Sequence, residues 1–318
     1  MLKPIKLSPE YKEIIWGGNR LKNEYNKHSD LANIAESWEL TVRDDGMNII
    51  CGGEFDKCTM EEFIDKNGFS VVCDKPLDRF PLLIKFIDAC DNLSVQVHPD
   101  DEYGLKYADS LGKTEMWYII DATEGAKLVY GLKEGCTTAM FNEAVKNGCV
   151  EDMLNYVSVK KGDVFFIPSG LVHAIGAGIL LAEIQQNSNI TYRVYDYNRL
   201  GKDGKPRELH VEHALNVIKN RNNSEIEKIR YSKGKNSENQ LANCDYFDVC
   251  KYDLKGNEQK LSADKSSFHS ILCLDGVGTI TYNGENLDLV KGDSYYIPAG
   301  CGEYTVSGNL EIIVSKVN

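Results

Sequence analysis

The chain has no uninterrupted run of 18 apolar residues, and its first fifteen residues, MLKPIKLSPEYKEII, hold no apolar block of the kind a signal peptide needs. Those absences set the expectation of a soluble, cytoplasmic protein. Positive charge is also in short supply: 36 Lys and Arg against 48 Asp and Glu leave a formal net charge of -12. Nucleic acid and anionic membrane both reward a basic face, so neither is expected as a partner. A small anionic ligand stays open, because a few cations converging in one pocket dominate the global field at short range. The ten cysteines, from Cys51 to Cys301, include no C-x-x-C pair and stand singly in a chain large enough to do without staples. Free, mostly buried thiols are expected. The partner expected is a small molecule, and the assembly a monomer or homodimer.

What is present is ample core material: 318 residues, 42% of them hydrophobic, suffice for one large domain or two moderate ones. Short alternating or apolar runs, at 39–43, 93–97, 115–121 and 163–168, are rich in Val, Ile, Tyr and Phe and punctuated by Gly, Pro and Asp. That is the pattern of a β-sandwich or barrel. Helical signals are fewer. Thr59 with Glu62 makes a capping box, residues 137–146 have helical apolar spacing, and 209–219 offers Leu209, Ala214, Leu215 and Ile218 to one face. Residues 221–240 are polar and predict an exposed connection.

An internal echo organises the rest. Lys161-Gly-Asp-Val-Phe-Phe-Ile-Pro-Ser-Gly170 returns as Lys291-Gly-Asp-Ser-Tyr-Tyr-Ile-Pro-Ala-Gly300, a Gly-Asp turn, a strand and a Pro-x-Gly turn in each copy. The element resembles the second motif of cupins, so the expected fold is mainly β, two cupin (jelly-roll, double-stranded β-helix) barrels with a few flanking helices. Residues 1–240 would form the metal-bearing catalytic barrel and 241–318 a degenerate, metal-free one. The first copy continues into His173, whereas the second continues Cys301-Gly-Glu303 without a histidine.

Ser94-Val-Gln96-Val-His98 places Gln96 and His98 on one face of a strand, because side chains alternate with period two. With Glu115 and His173 they give two nitrogens and two oxygens, a set suited to a divalent ion such as zinc. The pair His210 and His213 has helical metal-ligand spacing but no third or fourth donor. His28 and His269 lie in polar surroundings and are expected to be exposed, while Tyr195 and Tyr197 either line the pocket or fill the core.

Taken together, Q-V-H-P-D at Gln96, G-K-T-E-M-W around Glu115, G-L-V-H-A at His173 and S-N-I-T-Y-R-V-Y-D around Arg193 resemble the type I mannose-6-phosphate isomerases. The resemblance extends over residues 16–199 and includes Trp16-Gly-Gly18, Glu36-Ser-Trp-Glu39 and Leu83-Ile-Lys-Phe86. It is to the short form, since the long helical insertion of the larger type is missing; Asn189 stands where short forms often carry Asp. The resemblance implies zinc held by Gln96, His98, Glu115 and His173, an essential Arg193, and interconversion of mannose 6-phosphate and fructose 6-phosphate through a metal-stabilised enediol. Lys85 and Lys113 match lysines of the family, and Ser94 matches its phosphate-contacting serine, which places Ser94 and Lys113 at the phosphate. The proton carrier stays open among Lys113, Glu183 and a metal-bound water. Rival readings are another cupin sugar isomerase, an iron-dependent oxygenase, and a catalytically silent sugar-binding cupin.

Overall fold

The computed structural model describes residues 2–201, 204–219 and 239–318, so the polar connection expected at 221–240 lies, but for its last two residues, outside the described part. The chain is mainly β, with two barrels of the jelly-roll kind. No helix among the described residues is long and apolar enough to cross a membrane.

The first barrel sets two antiparallel sheets face to face. One has five strands in the order Leu154–Ser158, Lys127–Leu132, His173–Ile175, Val95–Val97 and Tyr192–Tyr195. The other has six, in the order Val164–Ile167, Glu115–Ala122, Ile179–Gln186, Leu82–Ala89, Glu36–Leu40 and Glu10–Lys12. Ile87, Trp117 and Leu181 of the larger sheet meet Leu128, Tyr130 and Ile175 of the smaller one in a single apolar cluster. Every residue of Leu82–Ala89 and of Ile179–Gln186 is buried, because the larger sheet is covered on both sides. Ile84, Phe86, Ala182 and Ile184 face the other way, into a core shared with Leu272, Tyr296 and Ile313 of the second barrel. The period-two alternation therefore sends Lys85, Glu183 and Gln185 into the first barrel, the polar residues on the inner face of two otherwise apolar strands.

The second barrel is a nine-stranded sheet built on the long strands His269–Tyr282 and Gly302–Lys316. It recruits two strands from near the start of the chain: Ile5–Ser8 pairs antiparallel with Ser294–Ile297 and, on its other edge, with Ile49–Cys51. Phe268 stacks on Tyr296 with ring centroids 5.0 Å apart and on Phe80 at 5.5 Å. Contacts of this kind add about 1 kcal/mol each beyond area burial and bind the barrels into one body.

The two echoed segments adopt the same conformation. Gly162 and Gly292 both have positive φ, 89° and 90°, and lead into Val164–Ile167 and Ser294–Ile297. At Gly292 the requirement is doubled, since a Cβ there would lie 2.2 Å from the Tyr25 carbonyl oxygen. Helices start where their caps predict. Thr59 closes a complete capping box with Glu62 ahead of Met60–Asn67, and Thr137 accepts from the Met140 amide ahead of Thr138–Asn147. The last helix, Val211–Val217, is shorter than its apolar spacing predicts: Ala214 is buried, whereas Leu209 precedes the first turn and is 45% exposed.

Candidate active site

The site lies between the two sheets of the first barrel, imidazoles coming from one and carboxylates from the other. On the five-stranded sheet, Gln96 stands in register between His173 and Arg193, so three neighbouring strands present these side chains in one row. His98 follows two residues after Gln96 on the same face. On the six-stranded sheet, Glu183 stands between Lys85 and Trp117, and Gln185 pairs with Glu115. Ser94, Lys85, His98, Lys113, Glu115, His173 and Glu183 are all buried.

The donor atoms of His98, Glu115 and His173 lie within 4.8 Å of one another. His98 Nδ1 is 2.9 Å from the Ile190 carbonyl oxygen and His173 Nδ1 is 2.8 Å from that of Leu171. A carbonyl only accepts, so each Nδ1 carries the proton and each Nε2 is left with a lone pair. Those two Nε2 atoms are 3.1 Å apart, and each lies under 4 Å from a Glu115 oxygen. Glu115 Oε1 is buried without a hydrogen bond. Two lone pairs facing each other beside an unsatisfied carboxylate oxygen are repulsive alone and attractive around a cation. The donor set therefore fits a divalent ion. The Gln96 amide, 3.4 Å from His173 Nε2, brings its oxygen to the same point if the amide is turned over.

Electrostatics agree with that fit. Burial, helped by the Lys113 charge, holds His98 well below the usual imidazole range, and burial brings His173 down to about 4, so both rings are neutral near pH 7. Burial raises the Glu115 carboxyl, and the neighbouring Glu183 charge raises it further against the opposing pull of Lys113. Burial acts the same way on Glu183, yet Lys113, Lys85 and the Trp117 N–H outweigh it and hold this carboxylate ionised. Trp117 Nε1 donates to Glu183 Oε2 at 2.8 Å, while Oε1 lies 3.4 Å from Lys85 Nζ and 3.8 Å from Lys113 Nζ.

A cavity of about 320 Å³ opens beside these groups, lined by Glu36, Lys85, Ser94, Gln96, Lys113, Glu183, Asn189, Thr191, Arg193 and Arg207, with Trp16 and Ile175 among its apolar walls. Arg193 Nε donates to Ser94 Oγ at 3.2 Å and its Nη1 to the Glu208 carbonyl at 2.8 Å. Lys113, expected at the phosphate, lines the cavity and is paired with Glu115, its Nζ 3.2 Å from His98 Nε2.

Other expectations resolve differently. His269 is buried rather than exposed, its Nδ1 2.7 Å from the Tyr304 hydroxyl, because the long strand that carries it turns this position into the second barrel. His213 stacks on Tyr192 with centroids 4.9 Å apart, and His210 Nδ1 accepts from the Arg193 amide at 3.3 Å, so that pair packs against the Arg193 strand. Tyr195 and Tyr197 pack against each other as tilted rings with centroids 4.9 Å apart, and neither lines the cavity. Missed by sequence reasoning were Glu36, 3.3 Å from Lys85 Nζ, and Arg207; neither carries a periodic signal of its own.

The fold and the site define a two-barrel cupin with, among the described residues, one metal-type constellation, in the first barrel beside an arginine-rimmed cavity. Comparison with known proteins narrows the class. The family model "Phosphomannose isomerase type I, catalytic domain" matches residues 5–129, and "Mannose-6-phosphate isomerase, cupin domain" matches residues 237–317. A mannose-6-phosphate isomerase of Bacillus subtilis is 36% identical over 99% of both chains, and one of Streptococcus mutans is 34% identical over 100% of this chain and 99% of its own. The crystal structure of a Bacillus subtilis mannose 6-phosphate isomerase superposes with a TM-score of 0.89 at 33% identity, covering 98% of this chain and 99% of that one. The chain belongs to the type I mannose-6-phosphate isomerase family.

Proposed function

We propose that this chain interconverts mannose 6-phosphate and fructose 6-phosphate, with zinc held by Gln96, His98, Glu115 and His173. The observation that carries the reading is the pair of neutral imidazoles facing Glu115, with Lys113 paired to Glu115 and its Nζ 3.8 Å from a second, ionised carboxylate, Glu183. A bound divalent ion supplies Lewis-acid polarisation of the sugar oxygens.

Aldose and ketose differ by a proton moved between C1 and C2, with the carbonyl moving the other way, so the protein must hold a proton in between. Glu183 suits that duty. Its Oε1 faces the cavity side of the sheet beside Lys85 and Lys113, and the Trp117 N–H fixes the carboxylate plane through Oε2. It takes the C2 proton as the C1–C2 double bond forms and charge passes to O1, and returns it at C1 as the carbonyl reappears at C2, the hydroxyl proton passing from O2 to O1 through the enediol. Lys113 and Lys85 keep the carboxylate ionised before the transfer. Arg193, a permanent cation with a planar donor fork, stabilises charge developing on the sugar oxygens. Ser94, hydrogen-bonded to Arg193, lies toward the phosphate end.

Turnover of mannose 6-phosphate by zinc-loaded protein in heavy water tests the reaction and its path together. Deuterium should appear at C1 of fructose 6-phosphate, part of the original proton being returned by a shielded base. Turnover with wholly internal transfer at every pH would replace the enediol by a hydride shift; no turnover would remove the isomerase itself.

A further inference from the structure

The cavity has two chemically different ends. One carries the imidazoles, Glu115, Glu183 and Lys113. The other carries Arg207, which lines the cavity from a segment outside both sheets, and between them stand Arg193 and Ser94, 3.2 Å apart, with Ser94 Oγ 3.4 Å from Gln96 Oε1.

Arg207 is held in place by a specific device. Its Nε donates to Asp196 Oδ2 at 2.7 Å and its Nη2 to Oδ1 at 2.5 Å, a bidentate pairing with a carboxylate that is only 5% exposed. The backbone is fixed as well. Leu200 bridges to Pro206, the Glu208 carbonyl accepts from Arg193 Nη1, and the His210 amide donates to the Arg193 carbonyl at 2.7 Å.

The same carboxylate also accepts from Arg199 Nη2 at 2.6 Å. Arg199 also pairs with Asp91 at 3.2 Å, so the two aspartates balance Arg199 and Arg207. In a protein whose formal net charge is -12, Arg193, whose guanidinium donates to Ser94 Oγ and to the Glu208 carbonyl, adds a further positive charge at the cavity beside Arg207. Arg193 registers it: burial first, then the Arg207 charge, hold its guanidinium below the ordinary range. Like charges brought together on a fixed scaffold mark a place that a doubly charged anion would relieve.

We infer that Arg207, oriented by Asp196, contacts the substrate phosphate and sets the preference for a 6-phosphorylated over an unphosphorylated sugar. The inference rests on the sugar-phosphate reading above and adds to it a residue and a specificity. Arg207 takes no part in the proton transfer, so its loss should appear in binding.

The test compares wild type, Arg207→Met and Arg207→Lys by steady-state kinetics with mannose 6-phosphate and with mannose, and by binding of inorganic phosphate followed calorimetrically. Arg207→Met should raise KM for mannose 6-phosphate and weaken phosphate binding by roughly tenfold to a hundredfold, the scale of losing a charge-assisted contact. Its kcat should stay within a few-fold, and kcat/KM for mannose should be unchanged. Arg207→Lys should recover part of the loss. Wild-type phosphate affinity in Arg207→Met would overturn the inference, as would a fall of kcat and melting temperature with KM unchanged, which is the signature of a clip. A wild-type protein that binds phosphate but turns over no sugar phosphate would sink the isomerase reading, and the phosphate comparison would still decide Arg207.

Discussion

Trp117 Nε1 donates a 2.8 Å hydrogen bond to Glu183 Oε2, and the two residues are directly opposite each other on neighbouring strands of the larger sheet. The indole thereby fixes the plane of a carboxylate that Lys113 and Lys85 hold ionised. Trp117→Phe keeps the ring and removes the donor. It should fold normally and lose about tenfold to a hundredfold in kcat, the scale of one charged hydrogen bond. Circular dichroism and kinetics check this, and an unchanged kcat would remove the orienting role.

Arg193→Lys should keep the charge and lose the fork. An ammonium cannot donate at once to Ser94 Oγ, to the Glu208 carbonyl and to a sugar oxygen, as the guanidinium geometry allows. A fall in kcat of roughly a hundredfold to a thousandfold is expected, as for the loss of a donor at a developing oxyanion. Near-wild-type turnover would assign Arg193 to holding the 207–210 segment alone.

Part of this site was legible from period-two alternation, which put Gln96 and His98 on one face; Ser94 and Lys113 came from resemblance, and the structure brings all four side chains together with Glu115. The echo at Lys161 and Lys291 likewise showed two barrels before any contact was known. Glu183 and Arg193 came from resemblance, because one acid and one arginine on separate strands carry no local signal. Arg207 and Asp196 were illegible for a related reason: they meet through an irregular turn, where sequence has no period. The pairing of Ile5 with Tyr296 was hidden by its span of almost the whole chain, and His269 was misread because its polar neighbours precede a strand that turns it inward.

Lys27 and Glu39 form a buried ion pair between the barrels, with Nζ 2.7 Å from Glu39 Oε1 and donating to the Gly292 carbonyl at 2.6 Å. Lys27→Met would strand a carboxylate that burial already pushes up, at a cost of about 3–5 kcal/mol of stability. Adding Glu39→Leu should recover most of it. Urea unfolding of the three proteins measures both effects; a single variant as stable as wild type would contradict the assignment.

His269 makes stability depend on pH in a defined window. Burial, then the Lys316 charge, bring its imidazole down to about 4, against about 6.5 when unfolded. Between those values the unfolded chain binds more protons, so stability rises with pH and is lost as pH falls from about 6.5 toward about 4. At pH 5 the loss is about 2 kcal/mol. Relative to pH 7, wild type should therefore lose about that much more than His269→Phe in urea unfolding. Parallel losses in the two proteins would rule the effect out.

The central claim is a single metal-dependent centre, in the first barrel, that turns over mannose 6-phosphate. The direct measurement is a zinc titration of metal-stripped protein, with bound metal and formation of fructose 6-phosphate followed together. Activity should rise linearly and break at one equivalent per chain, and a His98→Ala, His173→Ala double variant should bind none at that stoichiometry and stay inactive. Full activity without metal, or one equivalent retained by the double variant, would contradict the account.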